Sequence, residues 1–302
     1  MKMESVKTYN SIYDFNHEFG CPTLHPLIDV GQAVITDTSF IKGDYAFNFY
    51  TIMLNESGEG TFKYGRNNYD FGEGSMIFTA PGQVMREQEG VPEIFYQGWS
   101  LMFHKDLLLG TQLGNTIGEY SFFNYDVNEA LHLSKAECDI ISNCFRNLRA
   151  ELEHPIDENT KGLLISYLEL ILRYSRRFYE RQFLTRADAS TDILSRFQAL
   201  LDEYFNSGEL TKCGIPSVKY CADHLNLSAN YLSDLLRKYT GKSALEHIQL
   251  KIVETAKSLL LYHSEKTVNE IAYDLGFEYP QYFSRLFKKR VGLSPTEFRA
   301  LN

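Results

Sequence analysis

The sequence ADHLNLSANYLSDLLRKYTG at residues 222–241 returns in altered form as AYDLGFEYPQYFSRLFKKRVG at residues 272–292. The two copies begin 50 positions apart, at Ala222 and Ala272, and end 51 positions apart, at Gly241 and Gly292. They therefore match element by element, with one additional residue in the turn of the second copy. Each copy predicts a short helix, a tight turn and a second helix closed by glycine.

The second helix of each copy has one apolar and one polar face. Helical spacing places these residues on the inner, apolar faces: Leu232, Leu235, Leu236 and Tyr239 in the first copy, and Phe283, Leu286, Phe287 and the stem of Arg290 in the second. The outer faces carry Asn230, Ser233, Asp234 and Arg237 in the first copy, and Gln281, Ser284, Arg285 and Lys288 in the second. Asn and Gln suit adenine, Arg suits guanine and Lys suits phosphate. This arrangement predicts two helix-turn-helix units whose second helices enter the major groove of DNA.

A long helix is predicted between the two copies. Ser243 and Glu246 form a capping box that starts a helix reaching to about Tyr262. About 20 residues give a rod of roughly 30 Å, close to the ~34 Å between successive major-groove openings on one side of DNA. The spacing therefore predicts that the two recognition helices enter adjacent grooves. Further capping boxes at Thr267 and Ser294 start the next two helices, and Pro280 suits the first turn of the second recognition helix.

Over about 85 residues this stretch resembles the paired helix-turn-helix domain of the AraC/XylS family of bacterial transcription regulators. The resemblance lies in Ile271-Ala272, Leu275-Gly276-Phe277, YFSRLFKK at 282–289, GLSP at 292–295 and Phe298-Arg299. It implies an N-terminal cupin-like barrel that senses a small-molecule effector and a helical segment that dimerises. No residue is assigned to effector binding.

The resemblance also implies roles for individual side chains. Base contacts fall on Asn230, Ser233, Asp234, Gln281, Ser284 and Arg285, and phosphate contacts fall on Arg237, Lys238, Lys288 and Lys289. Two residues depart from the family pattern. Asp234 stands where a basic or amide side chain is common, and an acid there can accept from a cytosine amino group but repels phosphate. In the linking helix Lys251 replaces a frequent Arg, which keeps the charge and loses the bidentate geometry.

The N-terminal region, residues 1–130, has the composition of short strands. The predicted strands cover 33–40, 45–54, 60–64, 67–71, 75–79 and 94–103, with glycine-containing turns between them. Evenly spaced short strands favour a sandwich or barrel, which can enclose a ligand. Trp99, Phe95, Tyr96 and Phe103 are interpreted as core.

A catalytic metal site is the alternative for this region, and the sequence does not favour it. Such a site needs several His and carboxylate ligands at one end of a barrel. The region offers His104, and before it His17 and His25, which we interpret as surface or capping residues. We therefore expect no metal, no cofactor and no enzymatic activity. A cupin-type enzyme or ligand-binding protein with a helical appendage remains the alternative, as does a regulator controlled by protein partners without a ligand.

Three helices are predicted between the two ends of the chain. Ser134 and Glu137 form a capping box that opens a helix to about Glu153, with the apolar stripe Ile140, Ile141, Cys144, Phe145 and Leu148. The second and third helices cover about 159–183 and 193–205. The basic and aromatic run at 173–181 is interpreted as a solvated helix face with snorkelling arginines.

The charge distribution supports a DNA-binding end. The net charge is −9, but residues 211–302 hold 13 Lys and Arg against 9 Asp and Glu, and residues 1–210 hold 17 against 30. Such asymmetry is a known sign of nucleic-acid binding at the basic end. The five cysteines include no CxxC pair, which predicts reduced and mostly buried thiols. No apolar signal segment opens the sequence, so we expect a cytoplasmic protein.

The predicted fold class is α+β and multidomain. A cupin-like β-barrel covers 1–130, a helical linker or dimerisation segment covers 131–210, and an all-α domain with two helix-turn-helix motifs covers 211–302. The predicted function is a sequence-specific DNA-binding transcription regulator that works as a homodimer, and the sequence does not distinguish an activator from a repressor. Its expected partners are double-stranded DNA, a small-molecule effector, a second copy of the chain and RNA polymerase, and no membrane.

Overall fold

The computed structural model describes residues 6–35, 44–57, 60–64, 67–71, 74–85, 96–126, 129–185 and 187–301. The chain forms two compact units, Met1–Thr185 and Arg186–Asn302. The boundary falls inside the predicted helical segment at 131–210. Two of its three helices belong to the first unit and the third belongs to the second. Within the described ranges, no helix has both the length and the apolar composition needed to cross a bilayer.

The first unit contains three sheets. Its strands are β1 (Lys7–Tyr9), β2 (Ile28–Ile35), β3 (Tyr45–Phe47), β4 (Tyr50–Ser57), β5 (Gly60–Tyr64), β6 (Asn67–Phe71), β7 (Ser75–Thr79), β8 (Val84–Met85), β9 (Tyr96–Phe103) and β10 (Leu131–His132). An antiparallel sheet has the order β10-β7-β4-β9-β2, a second has the order β1-β3-β8, and β5 pairs with β6. The α+β class is thereby confirmed, with the strands in the N-terminal unit.

The five-stranded sheet has two faces of different chemistry. Residues opposite each other in an antiparallel pair lie on one face. One face is apolar and carries Ile28, Val30, Ile52, Leu54, Met76, Phe78, Trp99, Leu101 and Phe103, all buried. The other face carries the buried polar side chains Asp29, Thr51, Asn55, Ser75 and Thr79. The first face therefore forms core, and the second is unusually polar for a buried surface.

Two α-helices of this unit pack on the apolar face. The unit has α1 (Ile12–Glu18), α2 (Gln112–Thr116), α3 (Lys135–Glu153) and α4 (Thr160–Thr185). The Trp99 ring stacks on Phe145 of α3 at 6.1 Å, and Phe78 lies 6.1 Å from Tyr179 of α4. The interpretation of Trp99 and Phe103 as core is confirmed, while Phe95 and the Tyr96 side chain lie outside the described residues.

The second unit is helical. Its helices are α5 (Ala187–Asn206), α6 (Glu209–Cys213), α7 (Val218–Leu225), α8 (Ala229–Thr240), α9 (Ala244–Tyr262), α10 (Val268–Asp274), α11 (Pro280–Val291) and α12 (Pro295–Leu301). One core joins α5, α7, α8 and the first half of α9, and a second joins the rest of α9 to α10, α11 and α12. Phe277 packs against both cores. α9 therefore links the two helix-turn-helix units.

Most predicted elements agree with the structure, and the differences have physical causes. β5, β6 and β7 coincide with their predictions. The predicted strand at 45–54 is interrupted between β3 and β4, because the chain changes sheet there. The strand predicted at 33–40 begins at Ile28 instead, and its first half contains Asp29 and Gly31, two residue types that are depleted in strands. Residues 36–40 and 94–95 of the predicted strands lie outside the described residues.

The capping boxes predicted at Ser134, Ser243 and Thr267 are all confirmed. Within the predicted stripe of α3, Ile140 is exposed and the others are buried. The basic run at 173–181 is only partly solvated, because Arg181 bonds to Glu137 and to the carbonyl of His132. Arg176 lies over the ring of Tyr120. Both arginines therefore contact other segments of the first unit.

Candidate nucleic-acid interface

The first recognition helix, α8, begins at a side-chain cap and ends at a glycine. Ser228 has extended backbone angles, and its hydroxyl accepts from the amide of Tyr231 at 3.2 Å. Gly241 closes the helix at φ +73, a left-handed conformation that glycine adopts without a steric penalty. Local sequence therefore fixes both ends of the helix.

The second recognition helix, α11, has the same length of 12 residues and begins differently. Tyr279 occupies the N-cap position without a side-chain cap bond, and Pro280 opens the first turn as predicted. Gly292 closes the helix at φ +86. The repeat therefore keeps the length of its recognition helix, while the cap at the N-terminus of that helix changes.

The turn before each recognition helix has equivalent backbone bonds. The Leu227 amide donates to the Ala222 carbonyl at 2.9 Å, and the Phe277 amide donates to the Ala272 carbonyl at 3.0 Å. Asn226 at φ 58 and Gly276 at φ +78 take the same left-handed position. Both offsets are 50 positions, so the additional residue of the second copy is Glu278, which is exposed.

The inner faces of the recognition helices match their predictions closely. Leu232, Leu235, Leu236, Phe283 and Phe287 are buried, while Tyr239 and Leu286 are half-buried. Arg290 is held against α9, where its Nη2 donates to the Gln249 side chain at 2.6 Å and lies 3.7 Å from Glu246. One difference between the copies was not predicted. Tyr231 is buried, and its equivalent Tyr282 is exposed.

The predicted contact residues lie on the outer faces. Exposed residues are Asn230, Arg237, Lys238, Gln281, Arg285, Lys288 and Lys289, and half-buried ones are Ser233, Asp234 and Ser284. Within the part of the chain that the structure describes, Arg285, Lys288 and Lys289 have no carboxylate within ion-pair distance, which leaves their charges available to a polyanion. Their contact with DNA remains a prediction.

One ion pair on α8 was missed in the sequence. Arg237 Nη1 donates to Asp234 Oδ1 at 2.7 Å. The i,i+3 spacing of an acid and a base on a helix is a signal that the sequence contains. The ion pair was not predicted, because Asp234 was assigned to a base contact and Arg237 to a phosphate contact.

The N-terminal helices of the second unit support the two helix-turn-helix units. Lys251 of α9 forms an ion pair with Asp202 of α5 through its single ammonium group. The Tyr204 hydroxyl donates to the Gly214 carbonyl at 2.8 Å. Gly276 lies against α6 so closely that a Cβ atom there would be 2.7 Å from the Leu210 carbonyl oxygen. Helices α5 and α6 thus belong to the framework that positions both turns.

Hydrogen bonds from capping residues lower the pKa values of three glutamates at helix starts in this unit. The backbone amide and hydroxyl of Ser243 lower the pKa of Glu246, and Arg290 and Arg237 contribute further. Glu270 and Glu297 have lowered pKa values for the same reason, through Thr267 and Ser294. Their charges are retained at neutral pH and fix the start of α9, α10 and α12.

In the first unit, the polar sheet face is the candidate ligand surface. Thr51 and Thr79 hydrogen-bond to each other through their hydroxyls. Asp29 accepts from the Asn16 amide at 3.3 Å, lies 3.9 Å from Arg149, and has a pKa raised by burial. Met102 of the same face packs against the aromatic cluster that includes Tyr9, Phe47 and Phe49.

The histidines agree with their predicted roles, and the cysteines agree only in part. His17 is exposed, and His25 accepts from the Leu27 amide at 3.1 Å, which fits the interpretation as surface and capping residues. Among the described residues, no three His, Cys, Asp or Glu side chains cluster as a metal site would require. All five cysteines are free. Cys144 and Cys221 are buried, but Cys21 and Cys213 are exposed, so the prediction of buried thiols is wrong for these two.

Two family profiles match the chain. The AraC-like ligand binding domain matches residues 30–166, and a helix-turn-helix domain matches residues 221–301. The architecture is thus a ligand-binding domain joined to a paired helix-turn-helix domain. The chain belongs to the AraC family.

Several known proteins are similar to the chain. The uncharacterized HTH-type transcriptional regulator YijO of Escherichia coli is 28% identical over 67% of this chain and 65% of its own. The arabinose operon regulatory protein of E. coli is 40% identical over 26% of this chain and 27% of its own. The solved C-terminal domain of the response regulator yesN from Fusobacterium nucleatum is 32% identical over 34% of this chain and 93% of its own, with a TM-score of 0.30. The chain therefore spans less than two thirds of these first two relatives.

Proposed function

We propose that the protein is a sequence-specific DNA-binding regulator of transcription. The observation that carries the proposal is the pair of equivalent helices α8 and α11, each with a buried apolar face and an exposed polar face. The matching profiles describe a ligand-binding and a DNA-binding domain, which favours a regulator over a cupin-type enzyme. Side chains such as Asn, Gln and Arg read base edges in the major groove, and both recognition helices carry them on their exposed faces.

DNA selection tests the proposal. Sequences bound by the full chain are selected from a random pool, and binding of the selected site is titrated at several salt concentrations. We expect Gln281→Ala or Arg285→Ala to weaken selective binding, because each removes a side chain that reads base edges. Arg196→Ala is the control, since it removes an exposed positive charge on α5, outside both helix-turn-helix units. Unchanged selectivity in both test variants would overturn the role of α11.

The first unit is proposed to bind a small, neutral, hydroxyl-rich effector. Support comes from the buried polar face with Thr51, Asn55, Ser75 and Thr79, because hydroxyl and amide groups suit hydrogen bonding to such a molecule. Relatives named for the arabinose operon and the lactose operon make sugars the first panel to try. We propose that the bound effector shifts the population between states with different DNA affinity.

Thermal-shift titration with this panel tests the effector site. A binding sugar should raise the Tm of the full chain, and Thr79→Val should reduce that rise because it removes a hydroxyl and keeps the shape. Thr116→Val is the control, as Thr116 lies on α2, outside the polar sheet face, and its hydroxyl donates to the Gln112 carbonyl of the same helix. Stabilisation that is equal in both variants would exclude the polar face as the site.

We propose that the regulator is a homodimer and that α4 is its interface. Leu163 and Leu170 are 44% and 42% exposed, and the half-buried Tyr167 and Tyr174 complete an i, i+4, i+7, i+11 stripe. This spacing is that of a coiled-coil seam. Antiparallel pairing with a second copy, centred between positions 167 and 170, brings position 177 opposite position 160. The basic end of one α4, with Arg177, then lies beside the acidic turn at 157–158 of the other.

Sedimentation velocity tests the dimer. We expect Leu163→Glu combined with Leu170→Glu to shift the protein from dimer to monomer, since like charges replace apolar contacts in the seam. Leu109→Glu is the matched control, because Leu109 is exposed in the same unit and lies outside α4. A dimer that survives the double substitution would exclude this surface. RNA polymerase as a further partner and a cytoplasmic location are further proposals that rest on the regulator assignment.

A further inference from the structure

The outer face of α8 contains an ion pair that α11 lacks. Arg237 Nη1 lies 2.7 Å from Asp234 Oδ1, and 58% of the Arg237 side chain is exposed against 20% for Asp234. The acid is therefore the more enclosed partner, and the guanidinium extends beyond it. At the equivalent positions α11 carries Arg285 and Lys288, two cations.

The pair lies in the middle of the outer face. Asn230, Asp234 and Arg237 follow the spacing i, i+4 and i+7, which places them along one line on a helix. Lys238 lies one position further, toward the side of the helix. Arg237 thus shares its line with Asn230, and Lys238 is the side chain of α8 that is better placed for a flanking phosphate.

We propose that Asp234 is a positioning residue, and that it holds the Arg237 guanidinium so that Arg237 reads a guanine in the half-site of α8. This inference rests on the proposed DNA-binding function. It reassigns Arg237 from phosphate contact to base readout, and it reassigns Asp234 from direct base contact to support of Arg237.

The geometry of the guanidinium allows Arg237 to bind Asp234 and a guanine at the same time. Arginine has five N–H donors in a planar fork, and the bond to Asp234 uses one of them on Nη1. The remaining donors include pairs that match the O6 and N7 acceptors of guanine. A side chain already held by its neighbour loses less rotamer freedom on binding than a free arginine does.

The electrostatics of the pair support base readout over phosphate contact. Asp234 and Arg237 together carry no net charge, so their approach to DNA releases few counterions. A phosphate contact by Arg237 would also bring the Asp234 carboxylate close to a phosphate, which is unfavourable. Lys238 has no described carboxylate within ion-pair distance, and its contact with phosphate carries no such penalty.

The test compares specificity with salt dependence for each residue. The full chain is titrated with its selected site and with sites in which each guanine of the α8 half-site is replaced, at several salt concentrations. We expect Arg237→Ala to abolish discrimination at one guanine, a loss of about 5- to 100-fold, beyond the uniform weakening that the unpaired Asp234 charge causes at every site. Lys238→Ala should weaken binding to all sites alike and reduce the salt slope by about 1.

Asp234 has its own expected signature. Asp234→Ala should reduce discrimination at the same guanine as Arg237→Ala, while binding to unrelated DNA is unchanged or tighter because a negative charge is removed. Asp234→Asn keeps an acceptor oxygen and should retain part of the discrimination. Asp192→Ala is the control, since it removes an acid from an Asp–Arg pair of α5. Arg237→Lys keeps the charge without the fork and serves if Arg237→Ala does not fold.

The outcomes separate this inference from the function on which it rests. If the wild-type chain selects no DNA sequence, the proposed function fails and this inference fails with it. If the wild-type chain is selective but Asp234→Ala keeps its full discrimination, only the positioning role is overturned. If Arg237→Ala lowers the salt slope and weakens all sites equally, Arg237 is a phosphate contact and the reassignment is wrong.

Discussion

At the scale of single residues, Gly276 is the point where the turn of the second helix-turn-helix unit packs against helix α6. Its backbone has φ +78, and an added Cβ atom would lie 2.7 Å from the Leu210 carbonyl oxygen and 2.9 Å from Gly214 Cα. All the crowded atoms belong to backbone, which cannot move aside as a flexible side chain can. Glycine is therefore required at position 276 for two reasons: its positive φ angle and the lack of space for a Cβ atom.

Gly276→Ala and Gly241→Ala separate these two requirements. Gly241 has φ +73 and open space around it, so its substitution should cost about 1–2 kcal/mol from left-handed strain. Gly276→Ala should cost about 1–3 kcal/mol more because of crowding against α6. Thermal and urea unfolding of both variants measure the difference. An equal loss of unfolding free energy in the two variants would contradict the predicted crowding against α6.

The exposed thiol of Cys213 provides a second prediction at this scale. Its hydrogen bond to Glu209 raises its pKa, so less thiolate is present at pH 8. We expect Glu209→Gln to speed the reaction of Cys213 with a disulfide reagent in a Cys21→Ser background. Cys221, whose pKa burial raises to about 11, should stay unreacted in the folded protein. An unchanged Cys213 rate would show that the carboxylate does not control this thiol.

At the scale of helices, three glutamates connect the stability of the second unit to pH. Glu246, Glu270 and Glu297 have pKa values below their ordinary value of 4.5, because capping bonds favour the charged form. A lowered folded pKa gives stabilisation that is complete above the unfolded pKa and is lost as pH falls through the folded one. The second unit should therefore lose stability progressively below about pH 4.5.

Replacing all three with Gln tests this dependence. Glutamine can form the same capping bonds and does not titrate. We expect the triple variant to have a lower Tm than wild type at pH 7 and a flatter decrease in Tm between pH 5 and pH 3. Glu254→Gln is the control, as Glu254 is exposed on α9 and caps no helix. Parallel Tm profiles for wild type and triple variant would contradict the prediction.

Helices were predictable from sequence where their signals are local. The capping boxes and the inner-face leucines lie within a few residues of the elements they define, so the ends of α3, α8, α9 and α10 follow from short stretches. Strand pairing depends on residues far apart in sequence. The N-terminal half of β2 was missed because its buried Asp29 resembles a turn residue until Asn16 and Arg149 are known to face it.

In the candidate site, the exposed positions could be predicted from sequence, and the side-chain bonds could not. Helical spacing placed Asn230, Gln281 and Arg285 on exposed faces, as the structure has them. It did not identify the bond between Asp234 and Arg237, because a helical position specifies a neighbour and not a rotamer. The support of the second turn by α6 was equally hidden, since Gly214 and Gly276 lie 62 positions apart.

At the scale of the whole molecule, α5 belongs to the core of the second unit. Phe197, Leu201, Tyr204 and Phe205 of α5 pack in the same cluster as the first helix-turn-helix. We expect a fragment of residues 187–302 to unfold cooperatively. A fragment of 211–302 should melt at a much lower temperature, because each lost aromatic or leucine side chain removes about 1.5–3 kcal/mol of burial. Circular dichroism melting of both fragments measures this, and equal Tm values would place α5 outside the folding unit.

The unequal charges of α8 and α11 have a consequence for how the protein finds its target. Arg285, Lys288 and Lys289 attract any DNA, and such attraction accelerates encounter and allows sliding along the duplex. Most of the charge on the outer face of α8 is cancelled where Asp234 meets Arg237. We therefore expect α11 to dominate the rate of arrival, while the base contacts of both helices determine the time spent at the correct site.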